Sequence, residues 1–191
     1  MEKRNLFLVS LVAALILAFG NCSSGETKQE GSVTTKCLKG NCKSETSTLE
    51  FSDGNKYEGG FKDSKFDGDG TFTFANGDVY KGKFASDKFN GKGNYKFANG
   101  DVYDGDFKDD LFDGKGVLTK KNGNKYEGDF KSGKQNGDGI LTQPDGDTFK
   151  GSFKEDAPVK GVIKDKSGRV VFEGDLEAEA KKALEAKLKK M

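Results

Sequence analysis

Residues 57–62 read Tyr-Glu-Gly-Gly-Phe-Lys, and residues 71–74 of the same stretch read Thr-Phe-Thr-Phe. In both segments aromatic residues alternate with polar residues or glycine, which is typical of β-strands that bury one face. Gly68 and Gly70 lie between the segments, where glycine suits a bend in the backbone. Asn76-Gly77 follows the second segment and favours a type I′ turn, in which both central residues have positive φ. The stretch therefore predicts a β-hairpin.

The hairpin pattern recurs every 23 residues along the chain. An aromatic residue opens each unit, and glycine follows it two positions later. These aromatic residues are Tyr57, Tyr80, Tyr103, Tyr126, Phe149 and Phe172. The turn dipeptide recurs as Asp53-Gly54, Asn99-Gly100, Asn122-Gly123, Asp145-Gly146 and Ser167-Gly168. Two turns in each 23-residue unit predict a continuous antiparallel meander.

The composition also favours a thin repetitive β structure. Of the 191 residues, 33% are hydrophobic and 33% are charged, which leaves too little apolar material for a thick two-layer core. The 16 phenylalanines argue against a disordered chain, because disordered chains are poor in aromatic residues. In a repeat protein each unit buries one face on its neighbours, and this composition suits that arrangement.

The combined pattern, Tyr-x-Gly-x-Phe followed by Gly-x-Gly, resembles that of the MORN repeat family. The resemblance covers residues 57–171 as five units, with a degenerate half repeat at 34–56 acting as an N-terminal cap and a partial repeat from residue 172. It implies an all-β fold, an elongated, twisted, single-layer antiparallel β-meander of 23-residue hairpin repeats. It also implies a role in membrane association, protein–protein docking or dimerisation, with no catalysis by the repeats themselves.

Aromatic residues are concentrated in the N-terminal half of the repeat array. The position of Phe74 and Phe97 is occupied by Lys120 and Gln143 in later units, and glutamine also replaces an earlier phenylalanine at residue 135. We therefore take five phenylalanines as a candidate binding face: Phe66, Phe74, Phe89, Phe97 and Phe112. The alternative is that these rings only pack the repeats against one another.

The N-terminus is predicted to be an export signal. Lys3 and Arg4 precede a 14-residue apolar stretch at 6–19, which is shorter than the roughly 20 residues of a membrane-spanning helix. Residues 1–21 are therefore expected to form a helical signal peptide. The sequence Ala-Phe-Gly-Asn-Cys at 18–22 resembles a lipobox, which predicts that Cys22 carries lipid and that residues 22–33 form a flexible tether. Ordinary signal-peptidase cleavage after Gly20 is the alternative.

The chain has three cysteines, an odd number for an exported protein. If Cys22 carries lipid, Cys37 and Cys42 remain as a pair, and we predict that they form a disulfide in an oxidising compartment. Two free thiols are the alternative. A zinc site is less well supported, because two cysteines without any histidine do not supply four ligands.

The C-terminal region, residues 172–191, is predicted to contain a partial repeat and a short amphipathic α-helix. Residues 176–191 are rich in alanine, leucine, lysine and glutamate, which are strong helix formers. Asp175 is the expected N-cap. Five apolar residues and the terminal methionine share one face of this helix, namely Leu176, Ala180, Ala183, Leu184, Leu188 and Met191.

The residue inventory argues against an enzyme, a metal site and a cofactor. The chain has no histidine, so the commonest general base and zinc ligand is absent. From Cys22 onward it has 30 basic and 30 acidic residues, which gives no basic surface for nucleic acid. We therefore expect a bacterial lipoprotein of the cell envelope, periplasmic or surface-exposed, that binds an envelope protein as a membrane-anchored scaffold. The alternative is a module that binds phospholipid or glycan.

Overall fold

The computed structural model describes residues 34–179, which divide between Phe112 and Asp113 into two compact units. Residues 34–112 are called the N-terminal unit below, and residues 113–179 the C-terminal unit. The predicted signal peptide, Cys22 and the tether lie outside the described residues, as does the predicted helix beyond residue 179. Within residues 34–179, no helix has the length and apolar character needed to cross a membrane.

The N-terminal unit is an antiparallel meander. Its strands are β1 (Thr35–Lys39), β2 (Ser47–Phe51), β3 (Lys56–Lys62), β4 (Lys65–Thr73), β5 (Val79–Ala85), β6 (Lys88–Lys96) and β7 (Val102–Lys108), followed by the first residues of β8 (Leu111–Thr119). From β1 to β7, each strand pairs with the strand that follows it in the sequence.

The C-terminal unit continues the same pattern. It contains the rest of β8, then β9 (Lys125–Lys131), β10 (Lys134–Thr142), β11 (Thr148–Lys154), β12 (Ala157–Lys164) and β13 (Val170–Asp175). From β8 to β13, consecutive strands again pair antiparallel. The predicted antiparallel meander of 23-residue hairpins is therefore confirmed. A helix, α1, begins at residue 176, and the Oδ1 atom of Asp175 accepts a hydrogen bond of 2.8 Å from the N–H of Ala178, as an N-cap does.

The turn types differ from the prediction for Asn76-Gly77. Gly77 has a φ of 90°, but Asn76 does not have positive φ. The N–H of Gly77 donates to the carbonyl of Phe74 at 2.9 Å, which gives a three-residue loop of a type I turn followed by a left-handed glycine. The type I′ turns lie at the other end of each hairpin instead. There Asp63 and Ser64 have φ values of 51° and 62°, and residues 86–87, 109–110 and 155–156 repeat this geometry.

The predicted N-terminal cap consists of β1, β2 and the loop between them. The predicted disulfide joins Cys37 to Cys42, whose Cα atoms are 6.2 Å apart. Ser47 occupies the register position opposite Gly59, where the repeats have glycine, and its buried hydroxyl accepts a hydrogen bond of 3.0 Å from the N–H of Cys42. The cross-linked loop thus holds β2 in place against the first full hairpin.

Candidate functional site

One face of the N-terminal unit carries its aromatic core. The three tyrosines that open its repeats, Tyr57, Tyr80 and Tyr103, are fully buried, and each stacks on a phenylalanine of the same hairpin. The ring centroids of Tyr57 and Phe66 are 3.8 Å apart, and those of Tyr80 and Phe89 are 3.7 Å apart. The buried hydroxyls are satisfied locally, because the Tyr80 Oη atom donates to the carbonyl of Lys83 at 2.7 Å and Tyr57 bonds Gly60 in the same way. Burial raises the pKa of both tyrosines above the ordinary value.

The tyrosine rings fit because the sheet beneath them is made of glycine. Gly82 and Gly93 are paired across β5 and β6, and the ring of Tyr80 lies over both. A Cβ atom on Gly82 would be 2.5 Å from the Cα of Gly93 and 2.6 Å from the Tyr80 Oη atom. Larger residues are therefore excluded by contact with backbone, and the glycine pairs form a strip across the strands.

The five phenylalanines predicted as a binding face do not share one exposed surface. Phe66, Phe89 and Phe112 are buried, with exposed fractions of 0%, 0% and 4%. They act as packing residues under the tyrosines, as in the alternative interpretation. Phe74 and Phe97 are half-buried at the strand ends, where the Phe74 ring contacts Phe72 at a centroid distance of 4.6 Å. Only these two of the five rings keep exposed surface for a ligand.

The opposite face of the N-terminal unit holds an open polar trough of about 620 Å³. Backbone atoms of glycines that stand in register from β3 to β6 form part of its floor. These glycines are Gly59, Gly70, Gly82 and Gly93. Polar and charged side chains from five strands and from the loop before β2 line it, namely Thr46, Glu58, Asp69, Thr71, Lys81, Lys92, Asn94 and Asp104. The trough thus runs across the strands.

Charges in the trough fall into a paired set and an unpaired set. The paired set includes Lys83 with Asp69 and Lys92 with Asp106, each at 2.8 Å across neighbouring strands. Among the residues described by the structure, Glu58 and Lys81 take part in no ion pair. These two stand in one row separated by Thr71, so about 10 Å lies between their strands. Their charges remain available to a bound molecule.

Successive hairpins are joined by aspartates that sequence analysis did not single out. Asp110, at the second position of a type I′ turn, donates its N–H to the carbonyl of Phe89, and its Oδ1 atom accepts the N–H of Phe89 at 2.8 Å. Asp87 makes the same two bonds with Phe66 of the preceding hairpin. Burial raises the pKa of Asp110 to about 6 and that of Asp87 above its ordinary value, although the backbone hydrogen bonds oppose this shift. The recurrence of Asp at residues 87, 110 and 156 is the sequence feature from which these links could have been predicted.

A second set of links joins the loops at the other end of the hairpins. In this set, the residue after the Gly of one loop accepts a hydrogen bond from a backbone N–H of the next loop in the array. The Oδ1 atom of Asn55 accepts from the N–H of Ala75 at 2.9 Å, and that of Asp78 accepts from Ala98 at 2.7 Å. In the C-terminal unit, Pro144 occupies one donor position and has no N–H to donate, whereas the N–H of Lys166 donates to Asp147 at 2.9 Å. These side chains therefore serve the stability of the array.

Among residues 34–179, no three or more His, Cys, Asp or Glu side chains are grouped so that they would hold a metal ion. The trough offers backbone groups, carboxylates, ammonium groups and hydroxyls in an open setting.

The repeats match a known family. A model of the MORN repeat matches four consecutive stretches, residues 57–79, 80–102, 103–125 and 126–148. Four consecutive 23-residue units thus match the MORN repeat. The trough belongs to the first two matched units, the start of the third and Thr46 of the cap. The predicted fifth unit, 149–171, lies outside the match, although its β11–β12 hairpin pairs Gly151 with Gly161 as the MORN repeats pair their glycines.

No curated protein matches the chain. The solved structures similar to it at low identity include two domains of CPAP proteins. The TCP10 domain of Danio rerio CPAP is 16% identical with a TM-score of 0.38, and the match covers 67% of this chain and 66% of that one, slightly under two thirds. The TCP domain of SAS-4 (dCPAP) from Drosophila melanogaster, solved with a proline-rich motif of Ana2 (dSTIL), is 10% identical with a TM-score of 0.37, covering 78% and 94%.

Proposed function

We propose that this protein is an exported, lipid-anchored binding protein of the bacterial cell envelope, and that the trough of its N-terminal unit docks a partner protein. The trough is the observation that carries the proposal. It is open, it exposes backbone along its floor, and its Glu58 and Lys81 charges lie free of ion pairs. The proposal assigns the chain no catalytic activity.

The anchor part of the proposal rests on the sequence. Lys3 and Arg4, the apolar stretch at 6–19 and Cys22 directly after it form the arrangement of a lipoprotein signal. A lipid on Cys22 would hold the repeats close to the membrane, and this would raise their local concentration near envelope partners. Metabolic labelling with a radioactive fatty acid tests this step. Label in the wild-type protein and none in Cys22→Ser is the expected result, whereas equal labelling would contradict it.

The choice of a protein partner rests on the character of the trough. No aromatic side chain lines it, and its surface offers alternating charges and peptide groups that suit another polypeptide. A benzophenone amino acid placed at Thr71 in living cells, followed by irradiation, tests the choice. The expected product is a covalent adduct with one defined envelope protein. The same photoreactive group at Ile140, the equivalent repeat position in the C-terminal unit, is the control and should give no such adduct.

Phospholipid or glycan binding is the alternative function, and the lysines of the trough favour anionic examples of either. Flotation of the full-length Cys22→Ser protein with anionic phospholipid vesicles distinguishes the cases. We expect it to remain at the bottom of the gradient, because the ion pairs of the trough neutralise much of its positive charge. Flotation with the vesicles would favour the phospholipid function, and adducts confined to cell-wall glycan at Thr71 would favour the glycan function.

A further inference from the structure

One row of the C-terminal unit alternates apolar and charged residues across the strands. The register places five residues in this row, from β8 to β12 in order: Val117, Glu127, Ile140, Lys150 and Val162. Neighbouring strands lie about 4.8 Å apart, so the row is about 19 Å long. The equivalent repeat positions in the N-terminal unit line the polar trough. Apolar residues thus replace the polar ones on every second strand of this unit.

The row is open to solvent among the residues that the structure describes. Ile140, at its centre, is 39% exposed, and Val117 and Val162 at its two ends are half-buried. The side chain of Glu127 is 62% exposed, and Lys150 is exposed as well. Burial of aliphatic side chains is favourable, so a surface that matches this row gains free energy by covering it.

The two charges of the row are available to a surface that faces them. Glu127 forms an ion pair of 3.1 Å with Lys125 of its own strand, and both side chains are largely exposed. Exposed pairs of this kind contribute little to stability, so a better placed cation replaces Lys125 at low cost. Within residues 34–179, Lys150 takes part in no ion pair.

The order of the residues makes the row complementary to a second copy of itself. A two-fold axis through Ile140, perpendicular to the sheet, reverses the row, so Val117 of one copy faces Val162 of the second copy. The same operation places Glu127 opposite Lys150, and it does so twice, because contacts about a two-fold axis are reciprocal. Apolar residues therefore meet apolar residues, and each charge meets the opposite charge.

The corresponding row of the N-terminal unit does not have this property. Lys81 is at its centre, with Glu58 and Asp104 at its ends. A two-fold axis at Lys81 would place this lysine against its own copy and Glu58 against Asp104. Like charges that face each other disfavour a contact. The self-complementary order is therefore specific to the C-terminal unit.

We propose that two copies of this chain associate face to face through this row, about a two-fold axis at Ile140. The two sheets then stack about 10 Å apart, with the Ile140 side chains in contact and a Glu127–Lys150 pair on either side. A contact of this length gives a weak and reversible dimer. The trough residues of the N-terminal unit take no part in it, so the proposal is independent of what the trough binds.

Sedimentation equilibrium of the purified full-length chain tests the association. The protein is kept in a detergent whose density the solvent matches, so that the measured mass is that of protein alone. The expected mass rises with concentration from that of one chain towards that of two chains. The mass of a single chain at every concentration would overturn the proposal.

Two charge reversals test whether the row is the surface of association. Glu127→Lys and Lys150→Glu should each weaken the association at least tenfold, because like charges then face each other on both sides of the axis. An equimolar mixture of the two variants should associate to within about threefold of the wild-type protein, since one variant presents two lysines and the other two glutamates. This recovery also shows that both variants are folded. Unchanged association of either variant alone, or no recovery in the mixture, would overturn the proposal.

Lys81→Glu is the matched control in the N-terminal unit. It makes the same change of net charge as Lys150→Glu, at an equivalent repeat position outside the proposed contact. The association should stay within twofold of that of the wild-type protein. A loss as large as that of Lys150→Glu would overturn the proposal, because the association would then depend on net charge and not on the order of the row.

Discussion

Replacement of Gly82 by alanine tests whether the tyrosine–glycine packing holds the array together. The new Cβ atom would be 2.5 Å from the Cα of Gly93 and 2.6 Å from both the carbonyl oxygen of Lys92 and the Tyr80 Oη atom. Two of these three contacts are with backbone atoms of β6. The steric clash is therefore removed only if β5 and β6 separate and the Tyr80 ring moves. Forced overpacking of this kind costs about 3 kcal/mol. Loss of the Tyr80 hydroxyl bond to Lys83 adds about 1 kcal/mol.

Gly68→Ala is the matched control for this variant. Gly68 has a φ of 83°, but a Cβ atom placed on it meets no other atom within 4 Å. The loss in free energy of unfolding for Gly68→Ala is therefore limited to the strain of a left-handed backbone at alanine, about 1–2 kcal/mol. Both variants change glycine to alanine, so the effect on the unfolded chain is the same and cancels in the difference. We expect Gly82→Ala to lose about 2 kcal/mol more than Gly68→Ala.

Urea unfolding measures this difference. Far-UV circular dichroism and tyrosine fluorescence report the transition, since the chain has five tyrosines and no tryptophan. The difference between the two midpoints, multiplied by the common slope, gives the difference in free energy of unfolding. If Gly82→Ala is no less stable than Gly68→Ala, the close contacts of the tyrosine ring do not exclude a side chain at residue 82, and the prediction is refuted.

Three further predictions concern the joints of the array. The pKa of Asp110 is about 6 in the folded protein, above its ordinary value of 3.8, so its contribution to stability is full below about pH 4 and is lost as the pH rises through 6. Asp110→Asn should therefore reduce the change in thermal stability between pH 4 and pH 6, and raise the free energy of unfolding at pH 7 by about 1 kcal/mol. A pH profile equal to that of the wild-type protein would contradict this prediction. Tyr57→Phe removes the hydrogen bond to Gly60 and should lower the free energy of unfolding in urea by about 1 kcal/mol. Tyr95→Phe removes the hydrogen bond to Asp78 and should lower it by a similar amount. Replacing both Cys37 and Cys42 by serine should cost about 2 kcal/mol in the cap and increase amide exchange at Leu49 but not at Tyr126; uniform exchange would show that the disulfide is not local in effect.

The strands and their register were predictable because the signal is periodic. Tyr57, Gly59 and Phe61 alternate along one strand, and the 23-residue period repeats the alternation. The type of turn was not predictable from Asn76-Gly77 alone. The Asn76 side chain accepts the N–H of Asp78 at 2.9 Å, which suits a three-residue loop, and the left-handed conformation is needed only at Gly77.

The candidate site was less predictable than the fold. The phenylalanines were visible as a pattern, but whether a ring such as Phe66 is buried depends on its stacking with Tyr57, which the sequence does not specify. The trough combines Glu58, Lys81 and Asp104 from three repeats, and their juxtaposition follows from the cross-strand register. The Asp110 link to Phe89 joins residues 21 apart, so a periodic sequence shows that the aspartate recurs but not which atoms it meets.

The most direct test of the binding proposal compares two charge reversals at equivalent repeat positions. Lys81 follows Tyr80 in the trough of the N-terminal unit, and Lys150 follows Phe149 in the C-terminal unit. The yield of the adduct between the Thr71-labelled protein and its envelope partner is measured in cells that carry Lys81→Glu or Lys150→Glu. The trough proposal predicts a several-fold lower yield with Lys81→Glu and an unchanged yield with Lys150→Glu. An equal effect of the two reversals, or no effect of Lys81→Glu, would contradict it.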